Sequence, residues 1–100
     1  MKVYISGPIS GTTDYMERFA EAQKDLEARG YEVVNPALIN SYLPKSTIWD
    51  HYMDVSLALL HICDAFYMLP GWEKSRGASL EYAVAKARRK AEITYEDLYL

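Results

Sequence analysis

Along the chain, short β-prone runs alternate with longer stretches whose apolar residues recur at helical spacing. Lys2-Val3-Tyr4-Ile5-Ser6 is the first such run, and Gly7-Pro8 stops it. Gly11-Thr12-Thr13-Asp14 then offers helix-capping residues, and Tyr15, Phe19, Ala22 and Leu26 form one stripe of a helix that Arg29-Gly30 closes. Tyr31-Glu32-Val33-Val34-Asn35 predicts a second strand ended by Pro36, and residues 37–47 read as a long surface loop. A second helix is expected from about Trp49 to Ile62, with Trp49, Met53, Leu57 and Leu60 inward. Ala65-Phe66-Tyr67-Met68-Leu69 is almost continuously apolar, as suits a strand covered on both faces, and Pro70-Gly71 ends it. A third helix begins near Ser75 with Leu80, Ala83, Val84 and Ala87 as its inward stripe, and Ile93-Thr94 suggests a fourth short strand.

The resulting order, β-α-β-α-β-α-β, predicts an α/β domain with a parallel sheet and helices on both faces. Ligands of such sheets bind beyond the carboxyl ends of the strands. The segments that reach that edge are Gly7 to Gly11, Asn35-Pro36 onward, and Pro70 to Ser79.

With 100 residues, half of them apolar, one domain spanning 1–100 can bury a modest core. Eleven Lys and Arg against fourteen Asp and Glu argue against a nucleic-acid polymer as partner. The one basic run, Arg88-Arg89-Lys90, suits a solvated helix C-terminus. Cys63 is the single cysteine, which excludes an intramolecular disulfide. No apolar run is long enough to span a bilayer and the first residues read as a strand, so a cytoplasmic protein without a membrane partner is expected. His51 and His61 stand near Asp50 and Asp54 without the spacing of a metal cluster, so neither metal nor other cofactor is expected.

Two segments carry candidate chemistry. Ser6-Gly7-Pro8-Ile9-Ser10-Gly11 follows the first strand directly, where glycines let the backbone approach a ligand; it also suits a plain tight connection. In Lys74-Ser75-Arg76-Gly77-Ala78-Ser79-Leu80-Glu81, Ser75 is an N-cap candidate, so the next amides are open to an anion beside Lys74 and Arg76. Gly77 and Glu81 share a helix flank at the border of the buried stripe. A carboxylate there can be desolvated and tuned as nucleophile or base; the plainer alternative is a solvated glutamate pairing with Lys86 or Arg88. Asp64, at the start of the third strand, reads as a structural cap of loop amides.

These segments, with Asp64-Ala65-Phe66-Tyr67-Met68-Leu69-Pro70-Gly71-Trp72, resemble the nucleoside 2-deoxyribosyltransferase superfamily, and within it the 2′-deoxynucleoside 5′-phosphate N-hydrolases and a compact bacterial and phage branch. The similarity covers about residues 2 to 90. It implies a flavodoxin-like three-layer sandwich with strand order 2-1-3-4, and cleavage or exchange of the bond between base and sugar. Glu81 matches the nucleophile of that family, Tyr4 the tyrosine that orients it, and Ser75 a phosphate-contacting serine. Gly7, Ile9 and Gly11 match the loop beside the nucleotide; Pro8, Ser10, Lys74, Arg76, Gly77 and Ser79 complete the expected substrate-binding set. The family aspartate eight residues before the strand aspartate falls on Ser56; Asp54, two positions away on a different helix face, either substitutes after a local shift or leaves the site impaired. The substrate expected is a nucleoside or its 5′-monophosphate, with a non-catalytic nucleotide-binding module as the alternative. A homodimer is also expected, because a short sheet leaves helix faces poorly covered and because such relatives complete their sites from a neighbouring subunit, here with the tail from Tyr95 to Leu100 in reach.

Overall fold

The computed structural model describes residues 1–100. Four strands, β1 (Lys2–Ser6), β2 (Glu32–Val34), β3 (Ala65–Met68) and β4 (Ala91–Ile93), form one sheet in the order β2-β1-β3-β4. All three pairings are parallel, with Val3 beside Val33, Tyr4 beside Phe66 and Tyr67 beside Ile93. The fold is therefore the α/β three-layer sandwich expected, in the flavodoxin-like order.

Alternation along the strands sends neighbouring side chains to opposite faces. Val3 and Ile5 of β1, with Ala65 and Tyr67 of β3, pack beneath α1 (Tyr15–Ala28) through Phe19, Ala22 and Leu26. Tyr4 of β1, with Phe66 and Met68 of β3, faces the other layer, built from α3 (Trp49–His61) and α4 (Arg76–Ala87) through Leu60, Ala78 and Ala85. Ser6 is on that face too.

Three elements depart from the sequence reading. The segment read as loop begins with a helix, α2 (Pro36–Asn40): the Asn35 side chain accepts from the Leu38 amide at 3.2 Å and Pro36 stands in its first turn. Proline there loses no hydrogen bond, so the residue that ends the strand also starts the helix. After β4, Thr94 is the cap of a helix and not a strand residue. Its side chain accepts from the Asp97 backbone amide and the Asp97 carboxylate accepts from the Thr94 amide, a capping box that opens α5 (Tyr95–Tyr99), whose Leu98 joins the apolar core. A single 3-10 turn, Trp72–Lys74, links β3 to α4.

The third departure concerns α4. Leu80 is 41% exposed, Ala83 and Ala87 are exposed, and Val84 is half-buried. The buried stripe is Ala78, Glu81 and Ala85. Two alanines let the helix lie close against Tyr4, Phe66 and Met68, and the third position of the stripe is a carboxylate.

The end of β1 is tight. The Leu69 amide donates to the Ser6 carbonyl at 2.8 Å, and a Cβ on Gly7 would stand 2.7 Å from the Leu69 Cβ. Only glycine leaves the chain room to turn out of the sheet here.

Candidate functional site

The strand ends, α2, α3 and the first turns of α4 enclose a cavity of about 540 Å3. That is within the size range of small-molecule sites. It lies at the carboxyl edge of the sheet, where the topology places a ligand.

Glu81 is the one carboxylate in its wall. The residue is 7% exposed, yet its carboxylate reaches the cavity wall. The Tyr4 hydroxyl donates to Oε2 at 2.5 Å and the Ser6 hydroxyl donates to Oε1 at 2.6 Å. Both donors come from β1, two residues apart, so the strand alternation aims them at the same helix. Burial raises the Glu81 pKa, and the two hydroxyl donors offset part of that rise by favouring the ionised form. Tyr4 is pushed well above the ordinary phenol value, first by burial and then by the Glu81 charge, so it holds its proton and acts as a donor. The solvated alternative for Glu81 is excluded: Lys86 stands 3.9 Å from Glu92, and Arg88 meets His61 Nδ1 at 2.8 Å.

The start of α4 supplies the second feature. Ser75 caps the helix, its hydroxyl oxygen accepting from the Ala78 amide at 3.2 Å while its own proton stays available. Lys74 and Arg76 flank it in the cavity wall, and Lys45 adds a third cation from the segment before α3. In a chain of net charge −3, the wall holds three cations and one buried carboxylate. That balance favours an anionic ligand. The Arg76 guanidinium lies 4.1 Å from the centroid of the Trp49 ring, bridging α4 to α3 beside the cavity. Gly77 keeps α3 and α4 close, since a Cβ there would stand 3.2 Å from the Met53 sulfur.

Of the residues singled out by sequence, Tyr4, Gly7, Ile9, Ser10, Ser56, Lys74, Ser75, Arg76, Gly77 and Glu81 converge on the cavity. Pro8, Gly11, Ser79 and Asp54 are not in its wall. Pro8 packs toward Gly71, where a Cβ would stand 3.8 Å from its ring; Gly11 takes a left-handed turn conformation; Ser79 donates to the Glu73 carbonyl at 3.4 Å. Asp54 is exposed, because helix geometry sends it outward when Met53 and Ser56 face in. It therefore places no carboxylate in the cavity beside Ser56. Asp64 accepts from the Lys2 amide at 2.9 Å, a structural contact made with the first residue of β1 and not with the loop amides expected.

The sequence reading missed Ser6 as a ligand of Glu81, and it missed Asn40, Trp49 and Tyr52 as cavity residues. Asn40 Nδ2 donates to the Ser56 hydroxyl at 3.0 Å, and its buried Oδ1 has no protein partner. Alternation of Tyr4 and Ser6 was the available signal for Ser6; Asn40 arrives through α2, which the sequence hid, while Trp49 and Tyr52 stand on α3, a helix the sequence did predict. No group of His, Cys, Asp and Glu side chains is arranged to hold a metal ion, and no helix is long and apolar enough to cross a membrane.

No curated protein matches the sequence significantly. Residues 1–95 match the family model DUF4406, a domain of unknown function, and the chain belongs to that family.

Proposed function

We propose that this DUF4406 member is an N-glycosidase of nucleoside 5′-monophosphates or nucleosides, with Glu81 as nucleophile. One observation carries the reading: a buried carboxylate, oriented by two hydroxyl donors, opens into a cavity whose other charges are cations. The motif resemblance to the nucleoside 2-deoxyribosyltransferase superfamily supports the same assignment for Glu81, Tyr4 and Ser75.

The chemistry follows from that arrangement. A phosphate sits at the start of α4, on the Ser75 hydroxyl and the free first-turn amides, with Lys74 and Arg76 neutralising it. C1′ of the sugar then faces Glu81. One carboxylate oxygen forms a bond to C1′ as the C1′–N bond breaks, its electron pair leaving with the base, which takes a proton from solvent. The transition state is oxocarbenium-like, and the adjacent negative charge stabilises it. Water next attacks C1′ of the glycosyl ester, loses a proton, and frees the Glu81 carboxylate. Transfer to a second base in place of water is the same sequence with another acceptor.

A second reading has its own support. Asp54 lies outside the cavity and Glu81 is the one carboxylate in the wall, which also suits a module that binds a nucleotide without cleaving it. Incubation with a panel of nucleosides and 5′-monophosphates, with free base followed by chromatography, separates the two. Base release supports the glycosidase. Saturable binding by calorimetry without release replaces it with the module.

We further propose a homodimer. Leu38, Ile39, Tyr42 and Ile48 are exposed, Tyr42 at 82%, in the segment that also supplies Asn40, Ser41, Leu43 and Trp49 to the cavity wall. Exposed apolar side chains in such a segment suit cover by a second copy. Light scattering at micromolar concentration is expected to give twice the chain mass of 11.5 kDa, and a monomer mass removes the proposal.

A further inference from the structure

The three cations of the cavity wall, Lys45, Lys74 and Arg76, are all exposed, and the one ion pair of the protein, Lys86 with Glu92, involves none of them. Long exposed side chains sample many rotamers, and a ligand that uses them must first immobilise them. Arg76 differs from the two lysines: its guanidinium lies over the Trp49 ring, 4.1 Å from the centroid. Other arginines are tied down by hydrogen bonds. Arg18 donates to the Pro70 carbonyl at 2.6 Å, Arg29 to the Asp97 carbonyl at 3.2 Å, and Arg88 meets His61. Arg76 is held by a ring face instead, so its N–H donors stay free for a ligand.

The contact follows from how the helices pack. Trp49 opens α3 and Arg76 opens α4. One turn further along α3, Met53 faces Gly77, where a Cβ would stand 3.2 Å from the sulfur. The two first turns therefore run close enough for ring and guanidinium to meet. Trp49 is itself half-buried in the cavity wall.

We propose that Trp49 is a positioning residue that holds Arg76 ready for a phosphate monoester, which makes Arg76 the cation that sets the preference for phosphorylated ligands. The proposal rests on the reading of the cavity as a nucleotide site and adds which cation reads the phosphate and why. A guanidinium gives two parallel hydrogen bonds to a pair of phosphate oxygens, and a ring can hold it without consuming those donors. Its ordering cost is met in the free protein, whereas Lys45 and Lys74 contribute charge with less direction. The three wall cations balance the ionised Glu81 and a phosphate dianion.

The test is calorimetric titration with 2-deoxyribose 5-phosphate, a phosphorylated sugar that carries no base. Trp49→Leu is expected to weaken its binding roughly fivefold and Trp49→Phe, which keeps a ring, by less. Arg76→Ala is expected to cost about tenfold. In the Arg76→Ala background, Trp49→Leu should cost nothing further, because the ring acts through the guanidinium. Equal losses in both backgrounds, or wild-type affinity in folded Trp49→Leu, overturn the proposal. So does a wild type that does not bind the sugar phosphate. Arg76→Lys, at an exposed position, reads the same point without risk to the fold: a loss of roughly fivefold at constant charge is expected, and unchanged affinity overturns Arg76 as the reader. Base release separates this inference from the glycosidase. The expected losses of affinity without base release from any 5′-monophosphate keep the pair and remove the glycosidase; base release with KM unmoved by Trp49→Leu does the reverse.

Discussion

The two faces of the sheet are built from the same strands and solve different problems. Under α1 and α5, Val3, Ile5, Phe19, Leu26 and Leu98 fill the buried cluster, and the buried polar groups are the Tyr67 hydroxyl and Asn35, which donates to Gln23 of α1 at 3.1 Å. Under α3 and α4, the apolar cluster is smaller and is interrupted by Tyr4, Ser6, Ser56 and Glu81, all buried and all polar. Strand β1 supplies both: Val3 and Ile5 to one side, Tyr4 and Ser6 to the other. One face gains stability from area removed from water, while the other carries a desolvated carboxylate at a cost in stability. Substitutions on the two faces should therefore separate activity from stability.

The largest effect expected is from Glu81→Gln, which keeps the shape and removes the proposed nucleophile. Base release should fall by about a thousandfold or more, with the thermal midpoint unchanged or raised. A variant that retains wild-type turnover takes Glu81 out of the mechanism. On the opposite face, Leu26→Ala leaves a hole in a fully buried site and is expected to cost about 2–5 kcal/mol in denaturant unfolding, while ligand affinity of the folded fraction stays as it was. Loss of affinity there would show that the faces are not independent.

Smaller effects sharpen the contrast within the polar face. A 5′-monophosphate should bind more tightly than its nucleoside by about tenfold, since hydrogen bonds to a charged group contribute about 1.5–3 kcal/mol each. Ser75→Ala should erode that preference more than it weakens nucleoside binding. Equal affinity of the wild type for both ligands by calorimetry removes the phosphate site.

The smallest effect is a pH dependence of known sign. Glu81 has a pKa raised by burial in the folded chain, so folding favours its protonated form. Its ionisation lowers stability as pH rises from the unfolded-state value through the raised folded value. The stability advantage of Glu81→Gln should therefore be present at neutral pH and shrink as pH falls through that window. Catalysis needs the opposite form, so base release should decline over the same range. A stability gap independent of pH contradicts the assignment.

Much of the fold was legible because its boundaries are marked by residues with one local use. Gly7-Pro8, Gly30, Pro36 and Pro70-Gly71 punctuate the strands and helices where the structure does. What hid was whatever depends on partners far along the chain. The face of α4 was misread because Leu80 is its most apolar residue, while close packing on a sheet that presents Tyr4, Phe66 and Met68 selects Ala78 and Ala85. Glu81 was visible as a candidate, but its burial follows from hydroxyls 75 and 77 residues away. Helix α2 was hidden because Asn35-Pro36 reads equally as a strand stop and a helix start. With it went Asn40, whose place in the site depends on that helix.

The short helix α5 has a consequence for how the domain is delimited. Five residues do not hold a helix in water; this one is kept by Leu98 in the core, by the Arg29 guanidinium on the Asp97 and Leu98 carbonyls, and by the Tyr99 hydroxyl on Asp25 at 2.6 Å. Every residue of the cavity precedes it, and the family match ends at residue 95. The stretch that sequence comparison marks as shared and the stretch that closes the apolar face thus end at different points. A protein trimmed at the shared boundary would keep the whole ligand-facing apparatus while uncovering the seam between Ile93 and Tyr67, so the unit of kinship here is shorter than the unit of folding.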